Sequence, residues 1–210
     1  MKPLVICLLM LLSQVGYSQM DIKVDMGINY SAIPSLRDYL NTNYASGQQI
    51  ASFNSSAVFS AEGGFELKNY QVGLDLGLET SSFNFDNGYQ LSYSVIQPTV
   101  MVYKFAKGTG YKFKYGIGVG PRLISVNEKP AGFVVENKYS GTGVGFLFRA
   151  DGATAVAESA YAYIGGDIGF NLLGAPSGSS GQLRDGQAQG IKFSNFYVGL
   201  RIGFVYSIII

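Results

Sequence analysis

Large apolar residues alternate with polar or small ones at period two along most of this chain, the pattern of strands whose two faces meet different surroundings. Ile22, Val24, Met26, Ile28 and Tyr30 alternate with Lys23, Asp25, Gly27 and Asn29. Phe59, Ala61, Gly63, Phe65 and Leu67 stand against Ser60, Glu62, Gly64 and Glu66. After a turn at Lys68 and Asn69, Tyr70, Val72, Leu74, Leu76 and Leu78 oppose Gln71, Gly73, Asp75, Gly77 and Glu79. Asn87-Gly88 is a type I′ hairpin signal and leads into a segment from Leu91 to Phe105. Its alternation slips near Ile96 and Pro98, so a β-bulge is expected there.

The pattern resumes beyond a glycine turn, with Tyr111, Phe113, Tyr115, Ile117, Val119 and Leu123 against Lys112, Lys114, Gly116, Gly118, Gly120 and Arg122. Val144, Phe146, Phe148 and Ala150 oppose Gly145, Leu147 and Arg149, and Ala162, Ile164, Ile168 and Phe170 oppose Gly165, Asp167, Gly169 and Asn171. A closing segment from Phe196 to Ile208 sets its apolar residues against Gly199, Arg201, Gly203 and Ser207. The expected fold is all-β: a closed antiparallel up-and-down transmembrane barrel of about eight strands.

Connection lengths predict which end faces outward, because outer-membrane barrels have short periplasmic turns and longer external loops. The odd connections are Ser31 to Ser56, Asp86 to Tyr89, Ser125 to Gly141 and Leu173 to Ile191, and all but the second are long. The even ones are Lys68 to Asn69, Ala106 to Gly110 and Asp151 to Ser159. The odd connections are therefore expected outside and both termini in the periplasm. Leu36, Arg37, Asp38, Tyr39 and Leu40 in the first loop are expected to be solvated, with a short helix or contact surface as the alternative.

Alternation alone does not say which face points inward, and a soluble lipocalin-like ligand-binding barrel has the same period with the faces exchanged. Glycines recur beside charges on the polar face, which suits a crowded lumen. Tyr30, Tyr70, Tyr111 and Tyr206 lie near strand ends on the apolar face, as aromatic girdles do. The membrane reading follows from both. The inward face then carries Asp25, Glu62, Glu66, Asp75, Glu79 and Asp167, opposed by Lys23, Lys112, Lys114, Arg122, Arg149 and Arg201. An eight-stranded barrel is just wide enough to be filled by side chains, so these charges are expected to pair into a structural plug.

Composition narrows the chemistry. Net charge is +1 with no cluster of Lys and Arg, so a nucleic-acid surface is not expected. Histidine is absent, which removes the commonest general base and metal ligand together. Carboxylates such as Asp75 with Glu79, or Glu62 with Glu66, share one face of one strand through alternation alone. Ser177-Gly178-Ser179-Ser180 has no histidine partner and reads as a flexible loop. No nucleotide, calcium or zinc spacing occurs, and no enzyme activity, cofactor or metal is expected.

Met1-Lys2-Pro3, the apolar run Leu4 to Leu12 and the small residues Gly16 and Ser18 read as a signal peptide over 1–18, leaving a barrel domain over 19–210. Cys7 follows the bulky Ile6, against a lipoprotein signal.

The run Gly116 to Arg122 (Gly-x-Gly-x-Gly-Pro-Arg), the strand Tyr197 to Phe204 and the Tyr17-Ser18-Gln19 junction resemble the small outer-membrane β-barrels common in Bacteroidota, porin-like or PorT-like. The resemblance implies a cell-envelope address, contact with outer-membrane lipid and insertion by the barrel assembly machinery. One departure is the end at Ile208-Ile209-Ile210 in place of a terminal aromatic, which leaves recognition to Phe204 and Tyr206. The expected role is non-enzymatic, structural or surface-interacting, with an extracellular or envelope protein partner met through the long loops. The alternative is transport, as a narrow solute pore or as a component of a secretion apparatus.

Overall fold

The computed structural model describes residues 19–44, 49–133, 135–179, 181–184 and 189–209. The expected signal peptide, 1–18, lies outside the described residues. Eight strands form the wall: β1 (Gln19–Ala32), β2 (Asn54–Leu67), β3 (Tyr70–Asn84), β4 (Gln90–Gly108), β5 (Tyr111–Lys129), β6 (Asn137–Ala155), β7 (Ala160–Leu173) and β8 (Asn195–Ile209). Each is antiparallel to the next, and β8 pairs with β1 from Gln19↔Ile209 to Ala32↔Phe196, so the sheet closes on itself. Register partners followed from Tyr70 through Lys104, Tyr115, Ala150, Gly166, Leu200, Ile28 and Ala57 return to β3 at Thr80. That displacement between start and return tilts the strands against the barrel axis.

The apolar residues face out and the charges face in, which excludes the lipocalin-like alternative. Outward apolar side chains end near one level on every strand, at Tyr30, Phe59, Leu78, Ile96, Leu123, Val144, Leu172 and Phe196. On β3 the stretch from Tyr70 to Leu78 is close to the about 9–11 residues a tilted transmembrane strand needs. Past that level the two faces exchange character. Thr80, Ser82, Asn84, Ser125 and Asn127 point out, while Leu91, Tyr93, Val95, Ile124 and Val126 point in and are buried. Lipid demands an apolar outer face, and water above it drives apolar side chains inward.

This exchange explains the slip in β4 and corrects the expected bulge. Val95 and Ile96 are both apolar because one belongs to the upper core and the other to the lipid belt. Register with β3 is unbroken from Tyr70↔Lys104 to Asn84↔Gln90, and register with β5 is the same on either side of a gap at 97–99. Pro98 and Pro121 fall opposite each other in that gap, and neither has an N–H to give the ladder. Gly120 lets the two backbones approach there, since a Cβ would lie 1.9 Å from the Pro98 carbonyl oxygen. Gly120→Ala is expected to cost about 1–3 kcal/mol and to lower the refolding yield measured by gel shift. Gly63→Ala, where a Cβ meets nothing within 4 Å, leaves that yield unchanged.

The β3–β4 hairpin turns at Asn87-Gly88 but is not type I′. The Gly88 N–H donates to the Phe85 carbonyl at 2.9 Å and the Phe85 N–H to that of Tyr89 at 3.0 Å. Within the turn only Gly88 has a positive φ, +83°, whereas type I′ needs one at Asn87 too. Longer strands also shorten two connections, the one between β5 and β6 to 130–136 and the one between β6 and β7 to 156–159. The long connections, both at the end expected to face outside, are 33–53 and 174–194. The first contains a helix, α1 (Pro34–Asn43), rather than a solvated loop. Proline opens it, where its missing N–H costs nothing, and Leu36, Tyr39 and Leu40 share its buried face.

Candidate functional site

The candidate site is the lumen, filled in successive layers. At the end that carries the chain's first and last strand residues, Lys112 of β5 bonds Asp21 at 2.5 Å and pairs with Glu66, which also pairs with Lys107. The Gln71 amide donates to Asp21 at 3.0 Å while its oxygen accepts from Lys114 at 3.1 Å, joining this layer to the next.

The middle layer centres on Arg149 and Glu62. Arg149 reaches Asp167 at 2.8 Å, Glu62 at 3.1 Å and Asp75 at 3.2 Å from three strands. Glu62 also meets Lys23 at 2.8 Å, Lys114 at 3.1 Å and the Tyr103 hydroxyl at 2.7 Å. Lys23 goes on to Asp151 at 3.3 Å, and Arg201 joins Asp167 at 2.8 Å to Asp25 at 3.6 Å. Lys114 lies 4.2 Å above the Tyr103 ring. These groups are almost wholly buried, so each ion depends on its partners for what water would otherwise supply.

Above this, the expectation of opposite-charge pairing is corrected at two positions. Among the described residues, neither Arg122 nor Glu79 has an ion-pair partner. Arg122 donates to Asn171 at 2.8 Å, to Thr99 at 3.1 Å and to the carbonyls of Pro121 and Pro98 at 3.0 and 3.3 Å. It satisfies carbonyl oxygens where the prolines interrupt the ladder. Glu79 accepts from Ser56 at 2.7 Å, Gln97 at 2.9 Å, Asn29 at 3.1 Å and Ser31 at 3.4 Å. Four neutral donors take the place of a cation there.

The end that carries α1 is closed by an apolar head. Ile33, Leu36 and Leu40 of the first connection pack with Leu91, Tyr93, Ile124, Leu173, Ile191 and Phe193. Within it Glu128 of β5 accepts from the hydroxyls of Tyr89 at 2.8 Å, Tyr39 at 3.0 Å and Tyr139 at 3.1 Å. Tyr44 stacks on Tyr89 with ring centroids 3.5 Å apart. Burial holds the Tyr39 and Tyr89 phenols well above the ordinary tyrosine value, reinforced by the Glu128 charge.

All of the sequence-predicted charges point into the lumen, and all but Glu79 and Arg122 enter ion pairs. Asp21, Lys107, Asp151 and Glu128 were not among them. Asp21 lies two positions before Lys23 and Asp151 two after Arg149, so extending the alternation finds both. A cavity of about 10 Å³ touches Asp21, Lys112, Lys114 and Asp151, room for roughly one water. A concavity of about 770 Å³ lies instead on the lipid-facing wall, among residues such as Val119, Phe146 and Phe170.

No protein-family model and no curated protein matches the chain. Among solved structures it is similar to Neisserial surface protein A, with a TM-score of 0.51 and 10% identity, covering 89% of this chain and 96% of that one. It is also similar to the attachment invasion locus protein of Yersinia pestis, in complex with the heparin analogue sucrose octasulfate. There the TM-score is 0.50 and the identity 8%, with coverage of 90% and 99%. At these identities the likeness shows a shared small-barrel fold.

Proposed function

We propose that this chain is a non-enzymatic barrel of a bacterial outer membrane, reached by signal-peptide export, with a closed lumen and an extracellular head as its working surface. The observation that carries this reading is occupancy of the lumen at every level: ion pairs below, Arg122 and Glu79 above them, and the apolar head with α1 at the mouth. The level apolar belt supports a membrane address. The run Gly116 to Arg122 supports kinship with the porin-like or PorT-like barrels of Bacteroidota. Phe133 and Val135, exposed at the tip of the β5–β6 hairpin, offer an extracellular or envelope protein an apolar contact.

Planar-bilayer recording of the folded protein tests the closed lumen. A flat trace is expected, and steady unitary currents would favour a solute pore instead. The barrel itself is expected to resist SDS at room temperature and to change mobility on boiling. Recovery as a soluble, heat-insensitive protein would sink the membrane reading.

A further inference from the structure

The middle layer of the lumen does not balance in charge. Five carboxylates, Asp25, Glu62, Asp75, Asp151 and Asp167, are linked by pairs of 4.0 Å or less to four cations, Lys23, Lys114, Arg149 and Arg201. Among the described residues, neighbouring layers lend no cation: Lys107 and Lys112 below are matched by Asp21 and Glu66, and Arg122 above is held by carbonyl, hydroxyl and amide oxygens. A buried carboxylate without compensation is neutralised by taking up a proton.

Contacts identify which carboxylate that is. Glu62 faces three cations and a phenol, Asp167 receives Arg149 through two nitrogens as well as Arg201, and Asp151 lies between Lys23 and Lys114. Asp25 accepts from Ser60 at 2.7 Å beside Arg201 and Lys23. Asp75 has one donor, Arg149 Nη2 at 3.2 Å, on a guanidinium already shared with Glu62 and Asp167. Its other oxygen, Oδ1, is buried with no hydrogen-bond partner, as are Oδ1 of Asp25 and of Asp151, but among the described residues each of those two pairs with two cations whereas Asp75 pairs with Arg149 alone.

Register adds an independent reason. Asp75 of β3 lies directly opposite Glu62 of β2, and like charges at such a position repel. Its partner on β4 is the neutral Thr99, Arg149 approaches from β6, and Lys23 and Asp25 of β1 and Arg122 of β5 are the other charged groups around it. Among the described residues no three carboxylates converge on a metal position. Two carboxylates forced together share their charge by one holding a proton.

We propose that Asp75 is a proton-binding site of the lumen, neutral in the folded barrel at neutral pH, so that the middle layer carries as many positive as negative charges. This goes beyond the closed-lumen reading and does not depend on what the head binds. Infrared spectra of the protein refolded in lipid vesicles test it. One protonated-carboxyl carbonyl band per chain is expected at neutral pH, shifted in D2O and absent from Asp75→Asn. That variant keeps the heat-induced gel shift, because the amide matches the neutral carboxyl in shape, whereas Asp167→Asn weakens it. Absence of the band from the unaltered protein overturns the proposal. So does a band that survives Asp75→Asn, including one that disappears only in Glu128→Gln. An Asp75→Asn chain that fails to fold overturns it too, since Asp75 would then be needed as an ion.

Discussion

Arg149→Met is expected to prevent assembly of a heat-modifiable barrel, because it leaves the buried carboxylates Glu62 and Asp167 short of a cation and takes from Asp75 its one donor. Removing one partner of a buried pair costs about 3–5 kcal/mol, a large share of the about 5–15 kcal/mol that holds a typical domain folded. Methionine keeps much of the bulk, so the loss reports charge and hydrogen bonding rather than a void. Arg149→Lys separates those two contributions: it restores the charge without the planar fork that spans three carboxylates. The lysine variant is expected to fold with an intermediate midpoint. Urea titration followed by gel shift ranks the three proteins, and a methionine variant as stable as the parent would show that the network is dispensable.

Much of this lumen was legible as spacing. Lys23, Glu62, Lys114, Arg149 and Asp167 sit on the polar parity of their strands, and parity is a local property that no tertiary contact has to supply. Sidedness followed from glycine beside charge, and Gly145 shows the reason. A Cβ there would lie 2.2 Å from Arg122 Nε, so the inward face needs hydrogen at that position. Partners were not legible, because each is set by strands far apart in sequence. Arg149 and Glu62 are 87 residues apart, and which carboxylate a guanidinium reaches across a barrel depends on stagger and tilt.

The strand ends failed for a different reason. Large apolar residues mark one parity of each strand, and that marker changes parity where lipid gives way to water. Leu123 and Ile124 are adjacent for this reason, as are Val95 and Ile96. A slip between two apolar neighbours in a barrel strand thus marks the membrane boundary as well as a bulge would mark a break, and register separates the two. At the other end, Asp151 is followed by Gly152 and Ala153, which resemble a turn in composition while remaining in the ladder with β7.

Glu128→Leu is expected to release the head while leaving the barrel below it folded. Glu128 joins α1 through Tyr39, the β3–β4 hairpin through Tyr89 and β6 through Tyr139, so one substitution removes the carboxylate that three buried hydroxyls share, although Tyr39 keeps its contact with the Tyr44 hydroxyl at 3.1 Å. A buried hydroxyl that loses its acceptor costs about 1–3 kcal/mol, and the leucine restores none of the three hydrogen bonds. Limited trypsin digestion at Arg37 of α1 reads the change: cleavage is expected to accelerate at least tenfold while the heat-induced gel shift persists. Glu128→Gln keeps an acceptor oxygen and falls between. The same contacts predict a pH dependence. The folded head holds the Tyr39 and Tyr89 protons above the ordinary value, so above about pH 10 the opened head releases protons that the closed one retains. The stability these phenols contribute is therefore complete below that pH and declines as the pH rises past it, and in the parent protein cleavage at Arg37 should accelerate over that range. Unchanged cleavage in Glu128→Leu would mean that the apolar contacts of Leu36 and Leu40 hold α1 in the mouth without the carboxylate.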